Sequence, residues 1–154
     1  LTRAHSDQQL SRKQLQNRRS VSTLELSRAK RINTVLVVED SEITRALVTG
    51  ILRGLGYRVL EADDGQRGWE MLQRHRVDMV ITHIQMPRMS GLELLEAIRD
   101  HDSYAELPVV VLSTLGSPED KQRALQRGAD AYLVKLNFQE KDLITTVRRF
   151  LRNG

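Results

Sequence analysis

Residues 34–40 read TVLVVED: an unbroken apolar, largely β-branched run that ends at once in two carboxylates. A strand with one wet face alternates polar and apolar residues. A continuous apolar run of this length suits a strand buried on both faces, as in a parallel sheet covered by helices. Working outward, similar runs recur as RVLEA (58–62), DMVIT (78–82), PVVVLS (108–113) and AYLVK (131–135). The intervals read as helices. Residues 42–55 place Ile43, Ala46, Leu47, Ile51 and Leu52 on one face, and Gly54 and Gly56 mark the end. Residues 66–75 carry Trp69 and Leu72, and residues 91–99 carry Leu92, Leu95 and Ile98. Residues 118–127 follow Ser117 and open on Pro118, an N-cap with proline in the first turn, and stop at Gly128. Residues 140–152 carry Leu143, Ile144, Val147 and Phe150, with Arg148, Arg149 and Arg152 near the negative helix end.

The pattern is five β-α units in about 120 residues. Right-handed crossovers put helices on both faces of a parallel sheet. The strand order 2-1-3-4-5 is the flavodoxin-like, doubly wound α/β solution.

The rest of the composition narrows the class. The chain has 154 residues, 40% hydrophobic and 29% charged, which is globular. It has no cysteine, so disulfides, thiolate zinc sites and thiol catalysis are excluded. No apolar run reaches the ~18 residues of a membrane span, and the start has no signal-peptide core. A chain that opens on Leu1 is expected to be a piece of something longer. The net charge of +4 is uneven: residues 1–33 carry eight Lys or Arg against two Asp or Glu, whereas 34–154 carry sixteen against eighteen. The basic character belongs to the extension, and a basic nucleic-acid-binding domain is not implied. Residues 1–33 lack Gly, Pro and aromatics, and their apolar residues are scattered. They are expected to form a flexible basic linker, with a partner-docking helix or an anionic-surface contact through Arg18, Arg19, Lys30 and Arg31 as sharper readings.

In a doubly wound sheet, ligands bind at the carboxyl ends of the strands near the switch point. Those ends carry Glu39 and Asp40, then His83 to Pro87, then Ser113 and Thr114, and finally Lys135, with Tyr132 three residues earlier. Adjacent carboxylates invite a hard cation. A hydroxyl and a lysine on neighbouring strands are suited to a phosphoryl group.

The segments VLVVEDSEITRALV, MVITHIQMPRMSGLELLEAIR, PVVVLST and GADAYLVK closely resemble the receiver domain of two-component response regulators, the CheY-like family. The resemblance covers residues 34–153, and its spacings fit without gaps. It implies that Glu39 and Asp40 are the acidic pair that holds Mg²⁺, with Asp40 the direct ligand, and that Gln85 offers its backbone carbonyl to the metal. Ser113 is implied as the switch hydroxyl, with Thr114 beside it at the phosphoryl group. Lys135 pairs with the phosphoryl oxygens, and Tyr132 is the switch aromatic. The output face is implied to lie on helix 4, strand 5 and helix 5, roughly residues 118–127 and 131–152.

Three positions depart from the family. The phospho-accepting Asp is replaced by His83. An imidazole cannot form an acyl phosphate, and when protonated it works against Mg²⁺, the family's cofactor. Leu136 follows the lysine where the family usually has proline, and a Lys-Leu bond is expected to be trans, because cis costs about 2.5–4 kcal/mol without proline. Ser90 stands where Asp is commoner, at a cap position that Ser fills well. His83 has four readings: natural loss of the acceptor in a pseudo-receiver, a substitution introduced into a phosphorylatable receiver, a transition-metal ligand with Glu39 and Asp40, or a phosphoacceptor on nitrogen. Lys135 is expected to pair with Asp40 or Glu39 when no phosphate is present. His5, His75 and His101 read as solvated surface or turn residues with no partner spacing for metal, Trp69 as packing, and Met71, Met86 and Met89 as filler.

The end, AYLVKLNFQEKDLITTVRRFL, with Phe138 after a short non-proline spacer, resembles receivers fused to CheA-type chemotaxis histidine kinases. The resemblance therefore implies a cytoplasmic, chemotaxis-like phosphorelay component that meets a histidine kinase or phosphotransfer domain and an output partner, with a second copy of itself as a further candidate partner and no DNA or membrane contact. The domain itself is then no enzyme, while its parent is a histidine kinase. The alternatives are a constitutive pseudo-receiver module and the regulatory domain of a DNA-binding regulator. A small phosphatase or nucleotide binder lacks support, because no glycine-rich loop follows the first strand.

Overall fold

The computed structural model describes residues 31–114, 117–135 and 139–151. The chain divides into two units at residue 31, and the fold below belongs to Ile32–Gly154. The expectations for residues 1–30 of the basic extension, His5 among them, and for Leu136 and Phe138 lie outside the described residues.

The elements are β1 (Thr34–Val38), α1 (Glu42–Gly54), β2 (Arg58–Ala62), α2 (Gly65–Arg74), β3 (Met79–Thr82), α3 (Gly91–Asp100), a 3₁₀ turn (Asp102–Tyr104), β4 (Val109–Ser113), α4 (Pro118–Gln126), β5 (Ala131–Val134) and α5 (Glu140–Phe150). All strands are parallel, in the order β2-β1-β3-β4-β5. β1, β3 and β4 are buried at every position, as their unbroken apolar runs predict. β2, an edge strand, is only partly covered, with Arg58 and Glu61 exposed and Val59 and Ala62 buried.

Because side chains alternate across a strand, each strand feeds two cores. Val35, Val37, Met79, Ile81, Val110 and Leu112 meet Val48 and Leu52 of α1 and Leu143 and Val147 of α5. Leu36, Val38, Val80, Val109 and Val111 meet Leu72 of α2, Leu94, Leu95 and Ile98 of α3 and Ala124 of α4. Tyr132, Trp69, Met71, Met86 and Met89 pack half-buried against this second core.

The helix starts are fixed by short polar side chains. Ser41, Asp64, Ser90 and Ser117 each accept a hydrogen bond from the backbone N–H three residues on. Ser90 thus fills its cap position, as its residue type predicts. Gly56 and Gly128 follow α1 and α4 with φ of 93° and 101°, the left-handed region that glycine enters without strain.

Two readings of the sequence are corrected. The buried side of α1 is Val48, Thr49 and Leu52, while Ile43 is 85% and Leu47 53% exposed. The helix carries two adjacent apolar stripes, and the sheet takes the one through Val48, Ile51 and Leu52. His101 is a turn residue, one of the two readings the sequence allows, but it is not solvated. It is half-buried, stacks on Tyr104 at 4.6 Å between ring centres, and its Nδ1 accepts from Ser103 N–H at 3.2 Å, closing the 3₁₀ turn.

Candidate functional site

The chosen residues gather at the carboxyl edge of the sheet. Glu39 leaves β1 with its side chain turned inward and is only 2% exposed. Its backbone N–H donates to Ala62 O at 2.9 Å, and its carbonyl accepts from Arg45 Nη1 at 2.8 Å. Arg45 in turn lies 3.4 Å from Glu61, so α1 and β2 brace the turn in which Glu39 sits. Asp40, next in the chain, is exposed.

Lys135, immediately after β5, reaches across the sheet edge and donates to Glu39 Oε1. This resolves the sequence alternative in favour of Glu39. A carboxylate this buried needs such a partner, since an uncompensated charge there would cost several kcal/mol. The other oxygen, Glu39 Oε2, is buried without a hydrogen-bond partner.

His83 follows β3. Its N–H donates to Val38 O at 3.0 Å, continuing the ladder, and its Nδ1 lies 2.9 Å from Leu112 O. A carbonyl oxygen only accepts, so the proton sits on Nδ1 and the ring is oriented from β4. The same Nδ1 is 3.8 Å from Glu39 Oε2, too long for a hydrogen bond. The ligand atoms of Glu39, Asp40 and His83 all lie within 4.8 Å of one another.

On the far side of His83 a small pocket is lined by His83, Ile84, Gln85, Ser113, Thr114 and Asp120. Ser113 is buried and Thr114 and Gln85 are exposed. The structure therefore brings Glu39, Asp40, His83 and Lys135 together, with Gln85, Ser113 and Thr114 around the adjoining pocket. Tyr132 sits within β5, opposite Val111, with its body against the second core.

The β3–α3 loop is held by contacts that local sequence did not reveal. Gly91 N–H donates to Ile84 O at 2.7 Å. Arg88, at φ 67°, reaches the buried Asp64 that caps α2. Burial pushes the Asp64 carboxyl up, but the backbone N–H groups of Arg67 and Gln66, together with the hydrogen bond and charge of Arg88, hold it below the usual value. Arg45 and Asp120 were likewise missed. The Asp64-Gly65 pair is a readable cap signal, whereas nothing near Arg88 announces its partner.

Comparison with known proteins agrees with this architecture. Residues 35–148 match the response regulator receiver domain family. A gliding motility regulatory protein of Myxococcus xanthus is 44% identical over 107 residues, 70% of this chain, and the match spans only 14% of that relative's length. The chemotaxis protein CheY4 of Vibrio cholerae is 37% identical, with a TM-score of 0.73 over 78% of this chain and 99% of that one. The signal receiver domain of a signal transduction histidine kinase from Syntrophus aciditrophicus is 29% identical, with a TM-score of 0.72 over 78% of this chain and 90% of that one.

Proposed function

The chain belongs to the response regulator receiver domain family, and from that premise we propose that it is a receiver unable to take a phosphoryl group at its acceptor position, signalling instead through protein contacts. One observation carries the reading. At the end of β3, where the family has its accepting Asp, stands His83, half-buried and tied by Nδ1 to Leu112 O. A side chain so placed offers no carboxylate for acyl phosphate. Glu39 is already neutralised by Lys135, so the two groups that otherwise serve metal and phosphoryl oxygens serve each other.

Receiver domains in general bind Mg²⁺. The residues here do not fit that ion well. Mg²⁺ demands near-octahedral oxygen donors. One of the three side chains is an imidazole, and one Glu39 oxygen is held by Lys135. No step in this account runs through Mg²⁺.

The roles assigned to the surrounding residues follow the family. Asp40 and Gln85 stand at the metal positions, Ser113, Thr114 and Lys135 at the phosphoryl positions, and Tyr132 at the switch position. Output belongs to α4, β5 and α5, where Leu125 is 44% exposed. The relatives named for gliding motility and chemotaxis, and the receiver carried by a histidine kinase, support a motility-type phosphorelay with the chain as one module of a larger kinase in the cytoplasm. Its partners would then be a histidine kinase or phosphotransfer domain and an output protein. Among the described residues no helix is long and apolar enough to cross a membrane.

The test is phosphorylation by acetyl phosphate with Mg²⁺, read by intact-protein mass spectrometry on the chain and on His83→Asp. The reading predicts a labile phosphoryl adduct on His83→Asp alone. An equal adduct on the unsubstituted chain overturns it.

A further inference from the structure

We propose that the outward face of α1 is a self-association surface, on which a second copy of this chain packs its own α1 antiparallel across a two-fold axis. The face is apolar where a solvated helix is normally charged. Ile43 is 85% and Leu47 53% exposed. Ala46, Gly50 and Gly54 beside them are exposed too. The large side chains stand in the first half of the helix and the two glycines in the second. Those glycines are an independent observation. Glycine in a helix costs stability, and it suits places where something must come close to the backbone. Nothing in this chain does so, since a Cβ at Gly50 or Gly54 would meet no atom within 4 Å. Neither has the positive φ that demands glycine. The fold does not need them, whereas a second helix arriving from outside does.

Spacing and charge identify the occupant as another copy of the same helix. Ile43, Leu47, Gly50 and Gly54 follow at intervals of four, three and four residues, the seam of a two-helix coiled coil. In the antiparallel arrangement Ile43 of one copy falls opposite Gly54 of the second copy, and Leu47 opposite Gly50. The two-fold axis repeats both pairs. Each layer then sets a large side chain into a gap, so the helices interdigitate. A parallel arrangement would stack glycine on glycine and leave voids. Glu42 and Arg53 are exposed and flank the seam on the same side. Antiparallel pairing brings Glu42 of one copy to Arg53 of the second copy at both ends. Arg53 lies 3.6 Å from Glu61, but its side chain is 56% exposed and its fork has donors for a second carboxylate. One face of a 13-residue helix covers less than the about 800 Å² per partner of a standard interface. The dimer is therefore weak and forms at high micromolar concentration.

The inference stands on this helix face and not on residue 83, so its failure is distinguishable from that of the phosphorylation reading. The full chain is followed by sedimentation equilibrium and by backbone NMR over a dilution series from high to low micromolar. The expected result is reversible monomer–dimer exchange, with the concentration-dependent shifts centred on Ile43, Leu47, Gly50 and Gly54. Gly50→Ala fills the gap that receives Leu47 and should weaken the dimer by about tenfold, although it strengthens the helix of the monomer. That opposition separates an interface role from a structural one. Glu42→Lys and Arg53→Glu should each weaken association a few-fold, and combining them should restore it. A chain that stays monomeric throughout, a dimer that Gly50→Ala leaves intact, or dilution shifts centred on α4, β5 and α5 overturns the proposal.

Discussion

Alanine at two glycines should move stability in opposite directions. Gly91 opens α3, where propensity alone credits alanine with up to about 1 kcal/mol over glycine. The structure reverses that sign. A Cβ at Gly91 would lie 1.8 Å from His83 O and 2.8 Å from His83 C, both backbone atoms that no rotamer change can move. The contact has to open by 1.2 Å to reach even 3.0 Å. Opening it strains the 2.7 Å bond from Gly91 N–H to Ile84 O, worth about 1 kcal/mol. Overpacking the buried loop adds about 1–3 kcal/mol. The net expectation for Gly91→Ala is a loss of about 1–3 kcal/mol, or about 4–12 °C in Tm for a domain of this size. Gly50 lies inside α1 with nothing within 4 Å of its would-be Cβ. Gly50→Ala should therefore gain about 0.5–1 kcal/mol. Urea unfolding of both variants, followed by Trp69 fluorescence and circular dichroism, reads the two signs. A Gly91→Ala variant within about 0.5 kcal/mol of the parent would refute the close approach of α3 to the backbone of His83.

Two further perturbations probe the ion pairs. Lys135→Met strands the buried Glu39 carboxylate and should cost about 3 kcal/mol in urea unfolding, with Glu39→Gln added to it recovering more than half; an unchanged midpoint for Lys135→Met would show that Glu39 does not depend on this cation. Asp64→Asn keeps a capping residue but loses the charge facing Arg88, so at pH 7 it should unfold about 1 kcal/mol more easily, a figure reduced by the exposure of Arg88. The folded Asp64 carboxyl lies below its ordinary value of 3.8, so its stabilisation is complete above that value and is lost as pH falls through the lower folded one. The difference between Asp64→Asn and the parent should therefore hold from pH 7 to 5 and shrink toward zero in stronger acid, and a difference that widens in acid would contradict the assignment.

The fold was readable because its strands are unusually explicit. A run such as VLVV (35–38) has no polar position to expose, so burial on both faces follows from the sequence, and parallel topology follows from burial. The site inherits that clarity: once the strand order is known, Glu39, His83, Ser113 and Lys135 must emerge at one edge. What stayed hidden depends on contacts between residues far apart in sequence. Nothing near His83 reveals that Leu112 O orients its ring, and nothing near Arg88 reveals Asp64. The choice of Lys135 between Glu39 and Asp40 was equally open, since both are carboxylates and only burial separates them. On α1 the difficulty was of another kind. Two apolar stripes adjoin, and periodicity ranks them equally until the sheet selects Val48 and Leu52 and leaves Ile43 and Leu47 in water.

The central claim is that residue 83 alone separates this pocket from a responsive one. Beryllofluoride with Mg²⁺, added to isotope-labelled chain and to His83→Asp, tests it through the backbone signals of Ser113, Thr114, Tyr132 and Lys135. The account predicts that only His83→Asp responds, with shifts at all four residues. A silent His83→Asp variant that is otherwise folded, or an unsubstituted chain that responds as strongly, would contradict it.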